Sequence, residues 1–254
     1  MPPIIEIDEL GIDFGGLRAL DALSLTILDN EIVGLIGPNG AGKTTVFNLL
    51  TSVYSPTRGN IRMNDEGIHG RKTHQITRGG IARTFQNIRL FANISVLDNV
   101  KIAMHNQMSY SLFSSIFRLP KYWREEREVE ARAYDLLKVF SLEKFENDMA
   151  GSLPYGAQRK LEIARALATR PRLLLLDEPA AGMNDTETAE LKETIRFIRK
   201  EYNLSILLIE HNMNLVMDLC DRLIVLDYGV VIASGSPEQI KNDPQVIKAY
   251  LGTS

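Results

Sequence analysis

A chain of 254 residues with 44% hydrophobic and 24% charged residues has the balance of a globular protein, and length enough for one large domain with an inserted subdomain. A net charge of −3 argues against a general nucleic-acid binder, and the single cysteine, Cys220, excludes an intrachain disulfide or a cysteine metal cluster. No run reaches the ~18 uncharged apolar residues of a membrane helix and the N-terminus lacks a basic start, so a soluble chain is expected, with any membrane role supplied by a partner.

In chain order, Ile32–Ile36 (IVGLI) reads as a buried strand ending at Gly37, and Thr44–Thr51 as the helix that follows. Between them, Gly37-Pro38-Asn39-Gly40-Ala41-Gly42-Lys43-Thr44 satisfies G-x-x-x-x-G-K-[ST], with a second threonine at Thr45. Glycines let the backbone wrap a phosphate chain with its N–H groups pointing inward, and the helix opening at Thr44 adds free amides and a positive end. Lys43 brings a full charge to the β- and γ-phosphates, and the Thr44 hydroxyl is a ligand for Mg²⁺.

Gln86, in IARTFQN, stands where the core gives way to a different composition, and its amide oxygen is a candidate for the metal or water shell. From about Asn93 to Gly151 strand signals are few and helix formers many, which predicts a helical subdomain inserted into an α/β core. The insert is placed at 93–159 and the core at 1–92 and 160–254. Ser109–Leu119 (SYSLFSSIFRL) is apolar and aromatic, either part of a docking surface or the insert's own core.

Leu173–Leu176 is an apolar strand ending in Asp177 and Glu178. A strand end fixes both acids at the rim where open α/β sheets bind ligands. Asp177 is then expected to hold Mg²⁺ through its water shell, and Glu178 to deprotonate an attacking water. Asp185–Lys200 places Leu191, Ile195 and Ile198 on one helical face. Ile206–Ile209 is a further strand, ending in Glu210-His211; His211 is a candidate for contacting the γ-phosphate or the water. Ser236-Pro237-Glu238-Gln239 has an N-cap, a proline at the first helical position and a capping-box partner, and Asp243-Pro244 opens a last short helix.

Taken in order, GPNGAGKTT, RTFQ, LPYGAQRKLEIARAL, LLLLDEP, AAGMN and LLIEH resemble the ATP-binding subunit of an ABC transporter over nearly the whole chain. The resemblance implies a P-loop NTPase (RecA-like) α/β core with an antiparallel β region and an inserted α-helical subdomain, ATP and Mg²⁺ as ligands, and ATP hydrolysis. It further implies a head-to-tail dimer with a related ATPase subunit, in which Leu153, Pro154, Tyr155, Gly156, Ala157 and Gln158 form the signature that contacts the partner's ATP. The usual signature serine is replaced by Pro154, which suits the first turn of a helix and leaves the amides from Gly156 onward to face an anion. By the same resemblance Phe14 lies where an aromatic stacks on adenine, the alternative being a core position. Ala180–Asn184 occupies the interface loop, with Asn184 where aspartate is usual.

IARTFQNIRLFANISVLDNV, LPYGAQRKLEIARALAT with DEPAAGMN, and IEHNMNLVMDLCDRLIVLDYG with GSPEQIKNDPQVIKAYLG are similar to the larger-insert ATPase of branched-chain amino acid importers, the LivG type. That branch implies membrane permease subunits, a secreted substrate-binding protein, no nucleic acid and a place on the cytoplasmic face of the membrane. Relatives serving urea and short amides are the alternative, with a non-transport ABC ATPase beyond them.

Overall fold

The computed structural model describes residues 3–104 and 120–251, so the aromatic stretch Ser109–Leu119 lies outside the described residues. β1 (Pro3–Phe14) and β2 (Leu17–Leu28) pair as a long antiparallel hairpin. β3 (Ile32–Ile36) is buried at all five positions and turns at Gly37 into the loop before α1 (Lys43–Leu50). β4 (Arg58–Met63) pairs with β1, and the two-residue β5 (Glu66–Gly67) with β4, giving an antiparallel sheet in the order β2-β1-β4-β5.

After α2 (Thr73–Arg78) comes β6 (Ile81–Arg83), the edge of a second sheet. α3 (Val96–Met104), α4 (Pro120–Val139) and α5 (Tyr155–Leu167) follow with no strand among the described residues. Strands and helices then alternate: β7 (Leu173–Asp177), α6 (Asp185–Tyr202), β8 (Ser205–Ile209), α7 (Met213–Leu219) and β9 (Arg222–Asp227). β10 (Val230–Gly235), α8 (Pro237–Lys241) and α9 (Pro244–Leu251) complete the chain's described part. The second sheet is ordered β10-β9-β3-β8-β7-β6, all parallel except β10.

Strands covered on both faces read as unbroken apolar runs, and β3, β7 and β8 do so because alternate residues enter two cores. Val33, Leu35, Leu173, Leu175, Leu207 and Ile209 pack with Val46, Phe47 and Leu50 of α1 and with the four-stranded sheet. Ile32, Ile36, Leu174, Leu176, Ile206 and Leu208 pack against helices. Val100, Val129, Leu137 and Phe140 join this second cluster, so the helical insert shares its core with the sheet. The expected change from insert to core at 159/160 falls inside α5, an unbroken helix.

Leu191, Ile195 and Ile198 are buried on α6, which continues two residues past Lys200. The Ser236/Gln239 capping box forms with Pro237 as the first helical residue. Asp243 Oδ1 accepts the Gln245 N–H at 2.7 Å at the start of α9. Among the described residues no helix is long and apolar enough to cross a membrane.

Candidate functional site

The loop after β3 is shaped by close packing. A Cβ at Gly37 would lie 2.0 Å from the Leu226 carbonyl oxygen, and one at Gly42 would lie 2.7 Å from a Leu20 methyl and 3.1 Å from the Ala19 oxygen. Both glycines also have positive φ, 148° and 104°, which a side chain would strain. The loop is braced from behind, since Gly229 N–H donates to Ala41 O at 3.0 Å and Asp21 N–H to Gly229 O at 3.0 Å. α1 begins at Lys43, one residue earlier than expected, with no side-chain cap and no acid in its first turn. Its first amides are therefore free for an anion.

Lys43 is buried, and its Nζ donates to the Gly37 and Pro38 carbonyls at 2.7 and 2.9 Å. Burial pushes its pKa below the ordinary lysine value, while the fields of Glu178 and Asp177 push the other way. It makes no ion pair among the described residues; its direct contacts are the two carbonyls, with the two carboxylates acting on it at longer range.

Glu178 follows the last residue of β7 in the left-handed region, φ 49°, and its N–H donates to Ile209 O at 2.8 Å. That conformation is uncommon for a residue with a side chain, and the end of β8 holds it in place. One Glu178 oxygen accepts from His211 Nε2 at 2.9 Å, with the imidazole proton assigned to Nε2, and the other accepts from Gln86 Nε2 at 3.2 Å. Glu210, unassigned by the sequence reading, is buried beneath His211. Its carboxylate accepts the N–H groups of Ala180, His211 and Asn212 at 2.8, 2.9 and 3.1 Å, tying the loop after β7 to that after β8. Asn39 through Thr45, Gln86, Glu178 and His211 line one cavity of about 440 Å³. Leu17, Arg18 and Tyr228 also line it, although no motif marked them in the sequence.

Asp177 is not on the cavity wall. It is buried behind it, with Oδ2 accepting from Arg83 Nη2 at 2.9 Å. The metal donors expected from the sequence are thus divided: Thr44 and Gln86 face the cavity and Asp177 lies beneath. Hydroxyl, amide and carboxylate oxygens are the donors a hard cation takes. No group of three or more His, Cys, Asp or Glu able to hold a metal occurs among the described residues. The set fits Mg²⁺, which keeps several waters and substrate oxygens and needs few protein ligands.

The signature segment lies elsewhere. Pro154 is the N-cap of α5 with ψ 151°, not a first-turn residue, because its extended ψ places the helix start at Tyr155. α5 also lacks a side-chain cap and a first-turn acid. Tyr155 is half exposed with its ring 2.9 Å from where a Cβ on Gly182 would stand. Gly156 faces the Glu187 carboxylate, and Gln158 Nε2 donates to Leu153 O at 2.8 Å. Ala157 is partly buried against the helix-side core. Asn184 caps α6, its side chain accepting the Glu187 N–H at 2.9 Å while Glu187 accepts that of Asn184 at 3.0 Å. Phe14 is 41% exposed and packs edge-on against Tyr54 with ring centres 5.1 Å apart, which removes the core alternative.

One face of α5 grips the Gln86 loop. Arg159 donates to Phe85 O at 2.6 Å and to Gln86 O, and pairs with Glu162 at 3.3 Å. Glu162 accepts the Phe85 and Arg89 N–H groups at 3.3 and 3.2 Å, and Arg165 donates to Arg89 O at 2.5 Å. Burial raises the Glu162 carboxyl pKa, and the Arg89 amide and Arg159 oppose that rise. The available sequence signal was a pair of opposite charges three residues apart in a helix otherwise rich in small and apolar residues.

The family profile "ABC transporter" matches residues 20–181, and "Branched-chain amino acid ATP-binding cassette transporter" matches 230–254. The chain is 48% identical over 250 residues, 98% of each sequence, to the high-affinity branched-chain amino acid transport ATP-binding protein BraF of Pseudomonas aeruginosa. Identity and coverage are the same with the LivG protein of that description from Escherichia coli K12. Among solved structures, the ADP conformation of MJ1267, an ATP-binding cassette of an ABC transporter, superposes with a TM-score of 0.85 at 28% identity over the whole of both chains.

Proposed function

The chain belongs to the ATP-binding subunits of ABC transporters, and from that premise we propose that it binds and hydrolyses ATP to drive a branched-chain amino acid importer. The solute follows from the relatives' printed names and the match at 230–254. The observation that carries the catalytic reading is Glu178 held between His211 and Gln86, in a cavity whose phosphate loop presents a lysine without an anionic partner.

In this reading the triphosphate lies along the loop, and Lys43 exchanges the Gly37 and Pro38 carbonyls for phosphate oxygens. Glu178 takes a proton from the attacking water, worth ~10²–10⁴-fold in rate. His211 and Gln86 orient its two oxygens; the left-handed turn at Glu178 aims them. Thr44, Gln86 and, through water, Asp177 would hold Mg²⁺, which supplies neutralisation of phosphate charge. Phe14 supplies a ring for adenine.

The subunit works in a head-to-tail pair with a related ATPase, presenting residues 153–158 to the partner's nucleotide. It docks through the insert at 93–159 on membrane permeases at the cytoplasmic face, and a secreted binding protein delivers the solute. In the complex reconstituted with its permeases, Glu178→Gln should retain ATP and lose phosphate release by at least 10²-fold. Uptake of leucine, not of urea, should stop with it. Phosphate release at the wild-type rate from Glu178→Gln would overturn the catalytic reading, and urea uptake the solute.

A further inference from the structure

Arg83, the last residue of β6, is buried yet joins three pieces of the site that are distant in sequence. Its Nη2 donates to Asp177 Oδ2 at 2.9 Å, and its Nη1 to Asn48 Oδ1 of α1 at 2.7 Å. Its guanidinium carbon lies 5.3 and 5.1 Å from the ring centres of Phe47 and Phe85, one residue before Gln86. Its Nε is buried without a hydrogen-bond partner. A buried ion pair is a weak source of stability, because desolvation offsets most of its attraction. This pair, with a donor left unsatisfied, calls for another account.

The charges around the cavity supply one. Lys43 is held by carbonyl dipoles, and the Asp177 carboxylate is close enough for its field to act on that lysine. An un-neutralised carboxylate there would repel an incoming triphosphate and compete with it for Lys43. A guanidinium stays charged at any working pH, and its planar fork reaches Asp177 and Asn48 together, as a lysine cannot.

We propose that Arg83 is the internal counter-ion of Asp177, keeping that carboxylate neutralised so that Lys43 and the phosphate loop can accept a triphosphate before metal arrives. This rests on the cavity being the ATP site, and adds a positioning residue that lies on neither the phosphate loop nor the acidic strand end.

The test is equilibrium titration of the full chain with trinitrophenyl-ATP in EDTA, comparing wild type, Arg83→Met, Asp177→Asn and the double variant. A unit charge at this range shifts affinity by about tenfold. Asp177→Asn should bind tightest, about tenfold above wild type; the double variant should match wild type within about twofold, and Arg83→Met should be about tenfold weaker. An arginine with no electrostatic role would leave the double variant as tight as Asp177→Asn. That result, no gain in Asp177→Asn, or a double variant as weak as Arg83→Met, overturns the proposal. Should Arg83→Met not fold, Asp177→Asn and the charge-free double variant still decide it, since neutral replacements of a buried pair are tolerated. Failure of the wild type itself to bind would instead overturn the ATP-site reading.

Discussion

The phosphate loop and the signature segment are chemically alike and structurally opposite. Each ends in a helix, α1 or α5, with no side-chain cap and no acid in the first turn, so each leaves N-terminal amides for an anion. At α1 the chain completes the site: Lys43 folds over the loop, and Glu178, Gln86 and His211 close the cavity. At α5, among the described residues, no counterpart of Glu178, Gln86 and His211 closes a comparable cavity; the Glu187 side chain lies against Gly156 instead. Pro154 and Tyr155 are exposed, and three of the helix's charged residues, Arg159, Glu162 and Arg165, point back into the Gln86 loop. One helix end is finished within this subunit; the other is an unfinished half. The proposed head-to-tail pair would complete that half with the partner's nucleotide.

The glycines offer the sharpest way to break the comparison. Gly42→Ala would force φ 104° on a side chain and press its Cβ against Leu20 and the Ala19 backbone. It should cost about 1–3 kcal/mol in chemical denaturation and abolish nucleotide binding by the isolated chain. Gly156→Ala meets only the far end of the Glu187 side chain and has an ordinary helical conformation. Its stability cost should stay below about 1 kcal/mol, with nucleotide binding by the isolated chain unchanged. Equal losses in the two variants would erase the distinction.

Arg159→Met comes next. It removes a buried charge from Glu162 and leaves the Phe85 and Gln86 carbonyls unpaired, which should cost about 3–5 kcal/mol by urea denaturation. A neutral result would mean that α5 is not anchored through this face. The smallest effect is expected from Pro154→Ser, since a serine at the N-cap supplies the side-chain cap that α5 lacks. Stability should rise by about 0.5–1 kcal/mol, and ATP turnover should change only in the assembled complex. Altered turnover in the isolated chain would place Pro154 in this subunit's own site.

Much of this was legible in the sequence for reasons of local chemistry. Continuous apolar runs marked β3, β7 and β8, because strands buried on both faces cannot alternate polar and apolar residues. Glycine spacing marked the phosphate loop, because the clashes at Gly37 and Gly42 forbid side chains there. Three-residue capping patterns fixed the start of α8. The exact start of α5 was missed by one residue, since proline suits both the N-cap side and the first turn.

The amino-acid sequence by itself determined the α/β class, the order of the motifs and the residues proposed to carry phosphate and acid chemistry, all of them set by neighbours along the chain. Tertiary structure alone decided that Arg83 sits on Asp177, that Glu210 fastens the loop after β7 through the Ala180 N–H, and that Arg159 and Glu162 hold the Gln86 loop. These contacts span 30 or more residues and join buried charges to a charge or to backbone groups far away in the chain. A charged residue in isolation reads as solvent-facing until the fold supplies the partner that makes its burial tolerable.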